Sequence, residues 1–219
     1  MRYAPSFTKE EIEANHEIFD GRRLLYKDRG VDFLKVRRAI IDKAGPLKGP
    51  ILDIGAGKGI MALCLARAGY SFASVDKDQD VLRIAALNLA YEDLLSRAEL
   101  HVMDAYSLEF ADNSFDSVFL VEALHHMDDI DGLFSEIDRV LRPGGRIVLS
   151  DFNEKGMEIV DSVHDREGHK HRSSGMGKKE AEVWLNEKNY SVRGCDQESH
   201  WILIGEKRTA GGGRNEKDL

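Results

Sequence analysis

From Ile51 onward, short apolar runs alternate with stretches of helical periodicity. The runs at 51–54, 71–75, 99–103, 117–121, 146–150, 191–195 and 201–205 predict seven strands. Apolar spacing predicts helices over 60–68, 79–95 and 130–141, with a shorter link around 105–112. Strand–helix–strand order sets parallel strands side by side and places helices on both faces. The link 196–200 is too short to join anything but antiparallel neighbours. The expected fold class is α/β: a doubly wound, mostly parallel, seven-stranded sheet with one antiparallel strand near its edge.

The residues before this pattern read as a helical arm. Thr8 and Glu11 have the spacing of a capping box, in which each side chain satisfies the other residue's backbone amide. Ile12, Ile18 and Phe19 supply the apolar positions of that first helix. A second helix over 31–43 would bury Phe33, Leu34, Val36, Ile40 and Ile41. Gly45, Pro46, Gly49 and Pro50 then break the chain. The expected organisation is an arm at 1–49, a core at 50–207 and a disordered tail at 208–219, where Gly211-Gly212-Gly213 falls.

Composition narrows the function classes. With 42% hydrophobic and 32% charged residues, the 219-residue chain can bury a core. No apolar run reaches the roughly 18 residues a membrane span needs, and 1–10 lacks a signal-peptide core. A net charge of -8 argues against general nucleic-acid binding. Two distant cysteines, Cys64 and Cys195, form no disulfide framework, so a reducing cytoplasm is expected. One stretch runs against the acidic trend: 22–43 carries eight basic and three acidic residues. It reads either as a solvated helix face or as a positive rim for an anionic substrate.

The most informative segment is Asp53-Ile54-Gly55-Ala56-Gly57-Lys58-Gly59. A buried strand runs into three glycines and a helix opens behind them, the arrangement that lets a nucleotide approach the backbone. Asp76 ends the next strand 21 residues after Gly55, the distance at which a carboxylate meets ribose hydroxyls. A dinucleotide site would place its third small residue at Ile60, but the third glycine here comes one position earlier. Asp53 before the first glycine suits a positively charged ligand better than a pyrophosphate; otherwise it caps local amides. This D-x-G-x-G-x-G pattern resembles the class I S-adenosylmethionine-dependent methyltransferases, of the small-molecule, type 11/25-like kind. Asp104-Ala105, Phe115-Asp116-Ser117-Val118 and Leu141-Arg142-Pro143-Gly144-Gly145-Arg146 resemble that family's later motifs in the same order. The resemblance covers about 51–151. It implies a Rossmann-like fold and S-adenosylmethionine as cofactor. The residues it assigns to that cofactor are Asp53, Gly55, Ala56, Gly57, Gly59, Asp76, Lys77, Asp104, Ala105 and Glu122.

Methyl transfer from a sulfonium needs an aligned acceptor and, where the acceptor is protonated, a base. His125 and His126, after the fourth predicted core strand, are the candidates. That stretch holds neither Asn/Asp-Pro-Pro-Tyr/Phe nor a Pro-Cys nucleophile, and the double-glutamate loop of protein arginine methylases is absent. A small-molecule acceptor remains, and nucleic acid is disfavoured. An RNA or protein methyltransferase using the basic arm, and a non-catalytic cofactor-binding regulator, are the alternatives. His164, His169 and His171 crowd three of the chain's eight histidines into eight residues. They read as part of a divalent-metal site or as a polar lid.

Overall fold

The computed structural model describes residues 2–166 and 177–209. At its centre is β2 (Ile51–Ile54), buried along its whole length. Because strand side chains alternate, Leu52 and Ile54 enter one core layer and Ile51 the other. The first layer is closed by α5 (Ile130–Val140) and α7 (Lys178–Glu187), where Trp184 meets Phe134 edge-on at 5.1 Å. The second is closed by α2 (Phe33–Ala44) and α3 (Ile60–Arg67), through Ile40, Ile41, Met61 and Leu63.

β3 (Phe72–Asp76) and β4 (Ala98–Val102) continue the sheet in parallel on one side of β2, with α4 (Gln79–Tyr91) between them in sequence. β5 (Phe115–Val121) and β6 (Leu141–Phe152) lie parallel on the other side. Strand order therefore reverses between β2 and β5, and a ligand crevice opens there at the carboxyl ends of the strands. β8 (His200–Lys207) inserts antiparallel between β6 and β7 (Tyr190–Asp196), as the short link requires.

Two expectations need correction. The sheet has eight strands rather than seven, because β1 (Arg2–Tyr3) pairs antiparallel with β4 at the far edge. Two residues are too few to show any alternation. Ile18 is not a buried position of α1 (Lys9–Lys27) but 74% exposed. The covered face runs through Ile12, Asn15, Phe19 and Tyr26 at helical spacing, and Ile18 is turned about 100° from Phe19. The Thr8–Glu11 capping box is present as expected. After β6, α6 (Glu154–Arg166) crosses near the crevice. No helix among the described residues is long and apolar enough to cross a membrane. Residues 210–219, most of the expected tail, lie outside the described part.

Candidate active site

The glycine turn is held from both sides. Gly55 and Ala56 donate backbone amides to the Val75 carbonyl, each at 2.9 Å, and Gly57 donates to Asp76 Oδ2 at 2.9 Å. Gly55, Gly57 and Gly59 all have positive φ, which L side chains adopt only at a cost. Their roles differ. A Cβ on Gly59 would stand 2.7 Å from Ala85 Cβ and 2.8 Å from its Cα, so this glycine lets α3 pack against α4. A Cβ on Gly57 would meet nothing closer than 3.9 Å and would project into open space. That open cradle beside a ribose-distance carboxylate fits the cofactor that the resemblance implies.

Two cavities meet at this turn. The larger, about 570 Å³, is lined by Asp76, Lys77, Asp104, Ala105, Tyr106 and Met103 among others. Asp104 shapes its rim by accepting the Tyr106 amide at 3.0 Å. The smaller, about 260 Å³, reaches Phe19 and Tyr26 of α1, Arg37 of α2, His125 after β5 and His164 of α6. Gly55, Gly57, Glu122 and His126 line both.

Glu122 is the hinge of the electrostatics. It has φ +52°, a strained conformation for a residue with a side chain. Its Oε1 is paired with the Arg37 guanidinium and lies 2.5 Å from His200 Nε2. His200 is fully buried, with Nδ1 2.8 Å from Ser199 Oγ. Burial alone would raise the Glu122 carboxyl, but Arg37 and His200 hold it down at about 2. Asp53 shows the opposite balance. Burial pushes its carboxyl up to about 6, despite the Ser74 hydroxyl donating at 2.7 Å and the charge of Arg37.

His125 and Asp151 form a second buried pair. His125 Nδ1 lies 2.7 Å from Asp151 Oδ1, and the His125 amide donates to Asp151 Oδ2 at 3.1 Å. The two residues are 4% and 3% exposed, beneath the ring of Phe152. A carboxylate on Nδ1 selects the tautomer with its proton there and leaves Nε2 as the basic nitrogen.

Residues 52–149 match the family model described as a Methyltransferase domain. Over that segment the chain is similar to the class I S-adenosylmethionine-dependent methyltransferases. Among curated relatives, a methyltransferase named GfsG from Streptomyces halstedii is 36% identical over 107 residues, 48% of this chain and 38% of that protein. A demethylmenaquinone methyltransferase from Clavibacter sepedonicus is 34% identical over 128 residues, 58% of this chain and 50% of that one. The chain thus spans half or less of the length of these two relatives. A solved S-adenosylmethionine-dependent methyltransferase from Methanosarcina mazei superposes with a TM-score of 0.63 at 24% identity, covering 78% of this chain and 98% of that one. That likeness shows the fold.

On this methyltransferase frame, the predicted site residues separate. Asp76, Lys77, Asp104 and Ala105 gather in the larger cavity, Ala56 and His125 in the smaller, and Gly55, Gly57, Glu122 and His126 where they join. Asp53 and Gly59 line neither and act from beneath the turn. His164 faces the smaller cavity, whereas His169 and His171 lie outside the described residues. Among the described residues, no group of three or more His, Cys, Asp or Glu side chains is placed to hold a metal ion. Arg37 is not a rim residue: it is 4% exposed and committed to Glu122. Sequence reasoning missed it as a site residue. Asp151 and His200 likewise meet their partners, His125 and Glu122, across long stretches of chain.

Proposed function

We propose that the chain binds S-adenosylmethionine through the larger cavity and the glycine turn, and methylates a small-molecule acceptor held in the smaller cavity. When bound, the cofactor supplies an electrophilic methyl group on a positively charged sulfur. The chain's residues do the rest. Asp76 and Asp104 bring carboxylates to the larger cavity, where they suit hydroxyl and amine donors. Glu122, held anionic between the two cavities, suits the positive end of a ligand lying across both. His125 Nε2 takes the proton of an acceptor O–H or N–H, and Asp151 steadies the imidazolium that results. One observation carries this reading: His125, held from behind by Asp151, lines a cavity that shares Gly55, Gly57 and Glu122 with the Asp76 cleft. A small acceptor agrees with the 260 Å³ volume of this space and with the demethylmenaquinone methyltransferase among the relatives. We place the reaction in the cytoplasm, which suits the free thiols of Cys64 and Cys195.

The test is transfer of labelled methyl from S-adenosylmethionine into metabolite, RNA and protein fractions of a cell extract. Label in the metabolite fraction supports the reading. Label confined to RNA or protein overturns the acceptor class. Tight cofactor binding without transfer to any fraction turns the chain into a binding regulator.

A further inference from the structure

A third cavity, about 540 Å³, lies apart from the glycine turn, between α1, α2 and α3. Its walls carry Arg23, Lys27, Lys35, Arg38 and Arg67 against the carboxylates of Asp32 and Asp42. An excess of three positive side chains in one hollow runs against a chain whose net charge is -8. The floor is apolar: Leu34, Ile41 and Cys64.

The cations are not equivalent. Arg23 pairs with Asp20 at 2.6 Å, Lys27 with Asp32 at 3.1 Å, and Arg67 with Glu92 through Nε at 2.8 Å. The side chains of Lys35 and Arg38 make no hydrogen bond or ion pair with a described residue. They stand three positions apart on α2, where like charges are neighbours and repel. Asp42, one turn on from Arg38, and Glu198, whose charge acts on Lys35, offset this repulsion only from a distance, and an anion between the two cations would answer it directly. Arg38 and Arg67 are also close enough to act on the Cys64 thiol, which burial nonetheless pushes up to about 11. The thiol is therefore neutral and does not serve as the missing anion.

We propose that this hollow is a second ligand site, separate from the methyl-transfer centre, that takes a phosphate-bearing small molecule. Its phosphate lies between Lys35, Arg38 and Arg67, and its apolar part rests on Leu34 and Ile41. A phosphate fits better than a single carboxylate, because a dianion with several acceptor oxygens can satisfy cations presented from two helices at once. The hollow's volume and apolar floor favour a small ester over an extended RNA backbone.

The experiment titrates the full chain with inorganic pyrophosphate by calorimetry, with saturating S-adenosylhomocysteine present to occupy the other cavities. One saturable site is expected, weakened at least tenfold in the Lys35→Gln/Arg38→Gln double variant. Both positions are exposed on α2, so that variant should keep the wild-type melting temperature and S-adenosylmethionine affinity. In a Cys195→Ser background, pyrophosphate should also slow alkylation of Cys64. Absence of saturable binding, equal affinity in the double variant, or an unchanged alkylation rate overturns the proposal. Binding of a single-stranded RNA 12-mer that pyrophosphate does not displace would overturn it in favour of a nucleic-acid surface.

Discussion

Asp151 holds His125 at two points, accepting from its ring through Oδ1 at 2.7 Å and from its backbone amide through Oδ2 at 3.1 Å. The carboxylate therefore sets both the tautomer of the ring and the place of the turn that carries it. Twenty-six positions separate the two residues, and only the parallel pairing of β5 with β6 brings their strand ends together.

If His125 is the base, His125→Ala should lower kcat by roughly 10²- to 10⁴-fold, the range of general acid–base catalysis. S-adenosylmethionine affinity by calorimetry should stay within about threefold. Asp151→Asn should also lower kcat, because an amide nitrogen turned toward Nδ1 favours the wrong tautomer. Full activity in His125→Ala, with any acceptor found, would assign the residue to packing alone.

The turn and its cradle were legible because the information is local. Asp53 to Gly59 is one unbroken segment, and Asp76 follows at a spacing set by one helix and one strand. The Arg37–Glu122 pair spans 85 positions and the Glu122–His200 contact 78. No periodicity links residues so distant. Arg37 belonged to a basic stretch, and the one local signal that set it apart was helical spacing, which puts it with Phe33, Ile40 and Ile41 on the buried face of α2 and away from Lys35 and Arg38. The positive φ of Glu122 was hidden for another reason: turn-prone Gly or Asn would have advertised it, and glutamate does not.

Gly57 and Gly59 should fail in different ways. Gly57→Ala places a methyl in the open cradle at φ +52°. It should fold, with a melting temperature lowered by a few degrees, yet bind S-adenosylmethionine at least tenfold more weakly. Gly59→Ala drives a methyl into the Ala85 backbone. It should lower stability by about 1–3 kcal/mol, as other overpacked positions do. Thermal melts with cofactor calorimetry separate the two. Equal binding by wild type and Gly57→Ala would remove the cradle assignment.

Asp53 should make the fold less stable as pH rises. Its carboxyl is raised to about 6 in the fold, above the ordinary 3.8, so the native state holds the proton that the unfolded chain has released between those values. Stability from this group is complete below about pH 4 and is lost as pH climbs through 6, a change of up to about 3 kcal/mol. Asp53→Asn keeps an acceptor for Ser74 and removes the titration. Urea melts at pH 4 and pH 7 should show the variant gaining on wild type at the higher pH. A gain of equal size at both values would refute the burial argument.

The arm should respond to the cofactor. Asn15 of α1 donates to Asn88 Oδ1 at 2.7 Å, and Asn88 in turn donates to the Lys58 carbonyl of the glycine turn at 2.7 Å. We propose that 1–49 acts as a lid whose order depends on this chain of bonds. Amide exchange over 9–27 should slow when S-adenosylmethionine saturates the protein, and Asn88→Ala should abolish most of that slowing. Exchange unchanged by ligand would make α1 a fixed wall.

The Arg37–Glu122–His200 group should dominate the acid limb of stability. Glu122 is held at about 2, below its ordinary 4.5, so its contribution is complete above pH 4.5 and is lost as pH falls toward 2. Removing the charge has a second cost. Glu122→Gln leaves Arg37 buried without its counter-ion, and Arg37 Nε already has no hydrogen-bond partner among the described residues. A stranded buried charge costs about 3–5 kcal/mol, whereas replacing both partners is far milder. Glu122→Gln should therefore be strongly destabilised at pH 7, and adding Arg37→Met should restore much of the loss. Because Glu122 borders both cavities, the double variant should refold yet still bind S-adenosylmethionine weakly. If the double variant is no more stable than Glu122→Gln, the charge is not what Glu122 contributes, and its strained backbone becomes the explanation to pursue.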